Sequence, residues 1–308
     1  MLSNPKKGEV DIFAIYSLSV VIVLMSIVYF FNYHHRISQK IVPHTPIVSS
    51  QTALFNKNVF AAVKVEAKAY IIYDIVTEEI IASKNIAESL PLASITKVMT
   101  AISATLHKEK NEKIIVTAKS IEGGYDLGLK ENQVWTLSEL LKYMLIFSSN
   151  DGAEIVADSF GGKDIFVKQM NSDGKALGLT LYFTDPAGRD IDGKIGGRGT
   201  VLEVAKLFSI ARKKIPEIMD ATTKKRETVV VNSTKISGIP NTNQAIETLP
   251  GAEASKTGYT EMAGGNLGVI VDVSMGHPVV IVVLGSSKEG RFKDMSILYK
   301  TLRDSVSK

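Results

Sequence analysis

The sequence of 308 residues contains no cysteine. No disulfide framework and no thiolate metal site can therefore form, although this absence fits many cellular compartments. The chain also has no large excess of charge of one sign, since 36 lysines and arginines against 32 aspartates and glutamates leave a net charge of +4. The basic clusters 212–214 and 224–226 have no interleaved aromatic residues and no nucleic-acid motif beside them. They indicate solvated surface, and no nucleic-acid partner is expected.

Metal and phosphate chemistry find little support. The five histidines have no spacing typical of metal ligands, and none completes an obvious Ser-His-Asp set; they are His34, His35, His44, His107 and His277. The glycine-rich stretches 196–199 and 285–288 lack the strand-loop-helix pattern that ends in Gly-Lys-Ser/Thr, so they are interpreted as turns. The sequence therefore predicts neither a metal nor a cofactor.

One long apolar run is present near the N-terminus. Residues 12–31 are uncharged and apolar, long enough to span a hydrocarbon core as a helix, and Tyr16, Tyr29 and Tyr33 lie toward its ends. A cleaved signal peptide is the alternative, but no small-x-small cleavage site follows the run. The prediction is a cytoplasmic tail over 1–11, a transmembrane anchor over 12–33 and a linker over 34–62. Lys6 and Lys7 nearly balance the basic residues beyond the run, so charge alone does not give the orientation.

The remaining residues, 63–308, are predicted to form one catalytic domain. Hydrophobic residues make up 45% of the chain, enough for a full core. Periodicity predicts a hairpin over 69–74 and 79–83, and then a helix over 94–107. A mostly helical insert follows over 136–213, with amphipathic runs at 165–177 and 201–212. Strands return at 228–231, 267–274 and 279–284, and a last helix covers 291–306. This order indicates an α+β fold.

The most informative motif is Ser94-Ile95-Thr96-Lys97, which sets a serine and a lysine one helical turn apart within an apolar run. A serine hydroxyl beside a lysine amine in a dry cleft is a nucleophile with its own base. Burial penalises the cationic form of such a lysine and lowers its pKa. Taken alone this pair is weak, because a serine and a lysine at this spacing are common.

Two later motifs strengthen the interpretation. Ser148-Ser149-Asn150 follows the helix-like run 137–147, and Lys256-Thr257-Gly258 precedes the strand-like run 267–273. Serine-x-x-lysine, then serine-x-asparagine, then lysine-threonine-glycine is the ordered set of penicillin-binding proteins and serine β-lactamases.

With these motifs the chain resembles the serine-type D-alanyl-D-alanine carboxypeptidases, also called low-molecular-mass penicillin-binding proteins, from about Ala69 to the C-terminus. Further matches are Asp185-Pro186-Ala187-Gly188, Asn241-Thr242-Asn243 and Tyr259-Thr260 with Ala263-Gly264. The resemblance implies a β-lactamase/transpeptidase-like fold: an antiparallel sheet with helices on both faces, a helical subdomain beside it, and the active site in the crevice between them. One departure is Arg189, where relatives often have leucine.

The resemblance also implies roles for the motif residues. Ser94 would be the acylating nucleophile, near a helix N-terminus that favours negative charge. Lys97 would accept its proton, and the charge of Lys256 would lower the pKa of Lys97 further. Ser148 would relay a proton to the leaving amine. Asn150 would hold the substrate backbone and the lysine, although a helix N-cap at Ser148 or Asn150 is an equally ordinary interpretation.

Substrate binding is implied for the residues around the third motif. The backbone N–H groups of Ser94 and Tyr259 would form the oxyanion hole, and Thr257 would bind the substrate carboxylate. Gly258 lets backbone or ligand approach closely. Arg291 lies near where relatives place an arginine that pairs with that carboxylate, although the spacing is slightly shorter here.

The function implied is that of a membrane-anchored carboxypeptidase that removes the terminal D-alanine from peptidoglycan stem peptides through an acyl-enzyme on Ser94. β-Lactams would be acylating inhibitors. Because the substrate lies outside the cytoplasmic membrane, the catalytic domain is expected on the extracytoplasmic side. An endopeptidase of the same family remains an alternative, as does a non-catalytic penicillin-binding sensor, which would not need the base. A β-lactamase is disfavoured because no Glu-x-x-Leu-Asn-like loop lies between Ser148 and Lys256.

Overall fold

The computed structural model describes residues 55–121 and 129–306, together with Met25. Apart from Met25, these residues fall within one compact unit, Ala53–Lys308. The predicted anchor over 12–33, Met25 excepted, and the linker up to residue 54 lie outside the described residues. No helix within the described ranges is long and apolar enough to cross a membrane. The last linker residues pack on the domain, because Phe55 and Phe60 are buried and Lys57–Ala62 forms a 3-10 helix.

The secondary structure of the described residues mixes strands with a block of helices. The strands are β1 (Ala69–Asp74), β2 (Ile80–Lys84), β3 (Leu90–Pro91), β4 (Lys113–Ile115), β5 (Val134–Thr136), β6 (Tyr182–Phe183), β7 (Gly197–Gly199), β8 (Arg226–Val231), β9 (Thr234–Pro240), β10 (Ala252–Thr260), β11 (Gly264–Asp272) and β12 (Pro278–Ser286). The helices are α1 (Thr96–His107), α2 (Leu137–Phe147), α3 (Asn150–Asp158), α4 (Lys163–Ala176), α5 (Val201–Lys214), α6 (Pro216–Asp220) and α7 (Gly290–Ser305).

The central sheet has the order β10-β11-β12-β1-β2, and every neighbouring pair is antiparallel. Nearly every residue of β1, β11 and β12 is buried. Because alternate side chains of a strand point to opposite faces, both faces of the sheet are covered at these strands. On β12, Val280 and Val282 lie in the apolar cluster that includes Phe208 of α5. Ile281 lies in a second cluster with Leu298 of α7. The predicted antiparallel sheet with helices on both faces is therefore confirmed.

Two small sheets hold the active-site segments against this frame. The sheet β4-β5-β8-β9 packs against α2, and the sheet β3-β7-β6 joins the segment before Ser94 to residues 182–183. The amide of Leu92 donates to the carbonyl of Gly197 at 2.9 Å, which fixes the approach to the nucleophile. Most of these strands are too short for apolar periodicity to predict them.

The predicted elements are largely found, with two differences at the motifs. The hairpin, the helix over 137–147 and the closing helix lie where expected. Ser94, however, lies in a 3-10 turn, Ala93–Ile95, and α1 begins only at Thr96. Tight 3-10 turns are frequent at helix N-termini, so Ser94 still lies at the N-terminal end of a helical segment. The third motif is itself part of β10, a strand that was not predicted.

Candidate active site

The turn that carries Ser94 has an unusual backbone. Ala93, directly before the serine, has a φ of 48°, in the left-handed region that non-glycine residues seldom adopt. Strand β10 lies directly against this turn, because a Cβ added at Gly258 would come 2.8 Å from the carbonyl oxygen of Leu92 and 3.2 Å from the amide nitrogen of Ser94. Only glycine permits this approach without displacement. The backbone of the third motif is thus held beside the nucleophile.

Lys97 contacts residues from three different segments of the site. It lies in the first turn of α1 and is fully buried, with 0% of its surface exposed. Its Nζ lies 2.8 Å from Ser94 Oγ, 2.8 Å from Asn150 Oδ1 and 2.8 Å from the carbonyl oxygen of Ala187. The oxygens of Asn150 and Ala187 can only accept, so they accept hydrogen bonds from the two N–H groups of a neutral amine. The lone pair of the amine is then directed toward Ser94. A neutral amine held this way can accept the serine proton.

The second motif lies at a junction between two helices. Helix α2 ends at Phe147, and Ser148 follows in the left-handed conformation with a φ of 65°. The N-cap of α3 is Ser149, whose Oγ accepts from the amide of Gly152 at 2.7 Å. Ser149 therefore performs the capping that Ser148 or Asn150 could have performed. The side chains of Ser148 and Asn150 are instead bound to the two lysines of the site.

Lys256 is the second buried lysine, with 1% of its surface exposed. Its Nζ donates to Ser148 Oγ at 2.8 Å and to the carbonyl of Thr257 at 2.9 Å. Burial, together with the charges of Lys97 and Arg291, lowers the pKa of Lys256 well below its ordinary value. The site therefore contains two serine–lysine pairs, Ser94 with Lys97 and Ser148 with Lys256, close enough for the two lysines to interact electrostatically.

Thr257 forms a hydrogen bond with Thr242, which is not among the predicted site residues. Its hydroxyl lies 2.7 Å from the hydroxyl of Thr242, and either oxygen can be the donor. The amide of Thr242 in turn donates to the carbonyl of Ile146 at the end of α2. This chain of contacts connects β10 to the helix that precedes Ser148.

Arg291 lies in the first turn of α7, with 8% of its surface exposed. Its Nη1 donates to the carbonyl of Gly258 at 2.7 Å, so the structure places it directly beside the third motif. Its Nε is buried and has no hydrogen-bond partner in the described part of the chain. Burial lowers the pKa of Arg291. A buried guanidinium that lacks an anionic partner within these ranges is suited to receive one from a ligand.

The structure thus gathers the predicted residues of all three motifs around Lys97 and Lys256, with Arg291 bound to the backbone of β10 at Gly258. Sequence reasoning missed Ala187 and Thr242. Ala187 acts through a backbone carbonyl, which leaves no signal in a side-chain pattern, whereas Thr242 lies inside the matched Asn-Thr-Asn segment and was detectable only as part of it. Over 55–121 and 129–306, no group of histidine and acidic side chains is arranged to hold a metal ion.

Comparison with known proteins gives consistent matches. Residues 56–288 match the peptidase S11 family, described as D-alanyl-D-alanine carboxypeptidase. The chain is 31% identical over 203 residues to D-alanyl-D-alanine carboxypeptidase DacF of Bacillus subtilis, covering 63% of this chain and 51% of that relative, so it spans about half the relative's length. It is 28% identical over 265 residues to a D-alanyl-D-alanine endopeptidase of Escherichia coli, covering 83% of each. A solved structure of penicillin-binding protein D2 from Listeria monocytogenes, in its ampicillin-bound form, matches with a TM-score of 0.66 and 28% identity, covering 78% of this chain and 98% of that one.

Proposed function

The chain belongs to the peptidase S11 family of D-alanyl-D-alanine carboxypeptidases, and on that premise we propose that it is a serine hydrolase that removes the terminal D-alanine from peptidoglycan stem peptides. The observation that carries this proposal is the position of Lys97 Nζ, 2.8 Å from Ser94 Oγ in a fully buried setting. A buried amine at hydrogen-bond distance from a serine hydroxyl is the arrangement that nucleophilic catalysis needs.

In the acylation step, Lys97 takes the proton of Ser94 while Oγ attacks the carbonyl carbon between the two D-alanines. The negative charge on the carbonyl oxygen is stabilised by the backbone N–H groups of Ser94 and Tyr259. Collapse of this intermediate breaks the C–N bond. Lys97 returns the proton through the hydroxyl of Ser148 to the leaving nitrogen. Free D-alanine then departs, and an ester remains on Ser94.

In the deacylation step, water attacks the ester carbonyl and Lys97 accepts a proton from that water. The second collapse breaks the C–Oγ bond, returns a proton to Ser94 and releases the shortened stem peptide. A β-lactam enters the same sequence by ring opening and leaves an ester on Ser94. The family match and the ampicillin-bound Listeria relative support β-lactams as ligands of this site.

Recognition of the free C-terminus is assigned to the third motif. Thr257 supplies a hydroxyl, and Lys256 and Arg291 supply positive charge at the end of the site where β10 meets α7. Charge-assisted hydrogen bonds of this kind are stronger than neutral ones. This arrangement supports a carboxypeptidase, whose substrate ends in a carboxylate.

An endopeptidase of the same family is the second candidate, supported by the coverage of the Escherichia coli endopeptidase. The experiment compares the purified full-length protein on two substrates, a stem peptide ending in D-Ala-D-Ala and a cross-linked stem dimer. Release of free D-alanine from the first, absent with Ser94→Ala, is the expected result. Cleavage confined to the dimer would make the protein an endopeptidase. Penicillin labelling without cleavage of either substrate would make it a sensor.

The proposal extends to location. The uncharged run over 12–31 supports a single membrane anchor, and a peptidoglycan substrate requires the catalytic domain on the extracytoplasmic side. The expected result is that the protein stays in the membrane fraction after carbonate extraction and that protease added outside spheroplasts degrades its catalytic domain. Release by carbonate, or protection from external protease, would contradict this assignment.

A further inference from the structure

A charged cluster adjoins the turn whose Ala187 carbonyl accepts from Lys97. Its centre is Asp185, whose side chain is 1% exposed. Arg189 Nη2 donates to Asp185 Oδ2 at 2.9 Å and also to Glu154 Oε1, while Lys163 Nζ lies 2.9 Å from the same oxygen of Asp185. This cluster, Asp185 with Arg189, Glu154 and Lys163, is not part of the three motifs.

Asp185 shapes the turn that supports Lys97. Its Oδ1 accepts from the amides of Ala187 at 2.9 Å and Arg189 at 3.0 Å, which fixes the peptide between them. The carbonyl of Ala187 in this turn accepts from Lys97 Nζ. Gly188 has a φ of +76° and presses on the nucleophile turn, since a Cβ there would lie 2.0 Å from the carbonyl oxygen of Ala93.

The other acceptor of Lys97 comes from a different element. Asn150 is the first residue of α3, and Glu154 lies four residues later, one helical turn away on the same face. Arg189 therefore connects the helix that presents Asn150 Oδ1 to the turn that presents the carbonyl of Ala187. No other ion pair within the described ranges joins these two segments.

We propose that Arg189 is a positioning residue: by joining Glu154 of α3 to Asp185, it holds the two acceptors of Lys97 so that the amine is directed at Ser94. The side chain of Arg189 donates to Asp185 and Glu154, so its effect on the reaction passes through the geometry of Lys97. This inference rests on the proposed role of Ser94 and Lys97 in acylation.

The electrostatics of the cluster agree with this geometry. Burial raises the pKa of Glu154 even though the charge of Arg189 opposes the shift. Burial would also raise the pKa of Asp185, but hydrogen bonds from Arg189 and Lys163 outweigh it and hold that pKa below its ordinary value. Without Arg189, the buried Asp185 and the partly buried Glu154 would both depend on the charge of Lys163, and the connection between α3 and the turn would be lost.

The test is stopped-flow acylation of the full-length protein by a fluorescent penicillin, which separates the acylation rate constant from the affinity of the initial complex. Arg189→Leu introduces the residue that relatives often have at this position and is expected to slow acylation about 10-fold, since a small misplacement of a catalytic group costs one to two orders of magnitude in rate. The initial affinity should not change. Arg189→Lys keeps the positive charge but lacks the fixed fork of donors, so it should recover part of the rate.

The matched control is Arg212→Leu. Arg212 also pairs with a glutamate, Glu253, and is 38% exposed where Arg189 is 32% exposed. It should acylate at the wild-type rate. Glu154→Gln should slow acylation to the same extent as Arg189→Leu, and the double variant should be no slower than either, because both changes break one connection.

Several results would overturn the proposal. Wild-type acylation by Arg189→Leu would do so, and so would equal losses of rate and initial affinity that match a lowered melting temperature. Should Arg189→Leu fail to fold, Glu154→Gln carries the same test, and a wild-type rate in that variant overturns the proposal. A wild-type protein that penicillin does not acylate at Ser94 would instead refute the proposed function, which keeps the two failures distinct.

Discussion

Replacing Arg291 by alanine separates the recognition of a free carboxylate from the support of β10. The guanidinium is almost fully buried, and its Nη1 donates to the carbonyl of Gly258 at 2.7 Å. If Arg291 also pairs with the terminal carboxylate of the substrate, removing Arg291 should lower activity only on substrates that carry this carboxylate.

The expected size follows from the contact that is removed. A hydrogen bond to a charged group contributes about 1.5–3 kcal/mol. Removing one from the transition-state complex should therefore lower kcat/KM for a peptide ending in free D-alanine by roughly 10–100-fold. The same change leaves the carbonyl of Gly258 without its donor, at a cost to stability of about 1–3 kcal/mol. Relief of a buried cation offsets part of that cost.

The assay measures kcat/KM for a D-Ala-D-Ala peptide and for its C-terminal amide, with the wild type and with Arg291→Ala. The wild type should prefer the free carboxylate, and the variant should lose most of that preference because the amide substrate is barely affected. Arg291→Lys is the matched control, since it keeps the charge but not the forked geometry, and should lie between the two.

An equal loss on both peptides would refute this reasoning. It would mean that Arg291 supports β10 through Gly258 and does not contact the carboxylate. The melting temperature of each variant, measured in parallel, shows how much of any common loss is structural.

Three further predictions concern the core of the site. Lys97→Arg keeps the charge but removes the base, so penicillin acylation should fall by roughly 10²–10⁴-fold; a near wild-type rate would show that another group takes the proton. Thr242→Val removes the hydroxyl that lies 2.7 Å from that of Thr257. The value of kcat/KM for the free-carboxylate peptide should drop about 3–10-fold. An unchanged value would show that Thr242 does not position Thr257 for the substrate. Because the pKa of Lys256 is lowered in the folded protein, the unfolded chain binds the extra proton, and the free energy of unfolding should rise with pH from that lowered value up to the ordinary lysine pKa. Urea titrations at several pH values should show this slope in the wild type and lose it in Lys256→Met.

Much of the site was predictable because three short motifs carry side-chain chemistry in a fixed order. The helix over 137–147 and the strands over 267–274 and 279–284 follow from apolar periodicity. The helix ends directly before Ser148, and the strand over 267–274 is the one that pairs with β10. Periodicity fails for β10 itself, whose Lys256-Thr257-Gly258 segment is neither alternating nor rich in β-branched residues. Pairing with β11 makes it a strand, so tertiary context overrides local propensity.

Other parts of the site had no sequence signal. The left-handed conformation of Ala93 occurs in a turn that Gly188 and Gly258 approach closely from distant segments of the chain. The acceptor that Ala187 offers to Lys97 belongs to the backbone. In the sequence Arg189 differs from the leucine that relatives often have, and only the structure identifies its partner Glu154.

The central claim is that Ser94 forms the covalent bond to substrate. The most direct measurement is the intact mass of the full-length protein after exposure to penicillin, followed by peptide mapping of the adduct. We expect one penicilloyl group on Ser94 of the wild type and none on Ser94→Ala. An adduct that persists in Ser94→Ala, or one that maps to another serine such as Ser148, would contradict it.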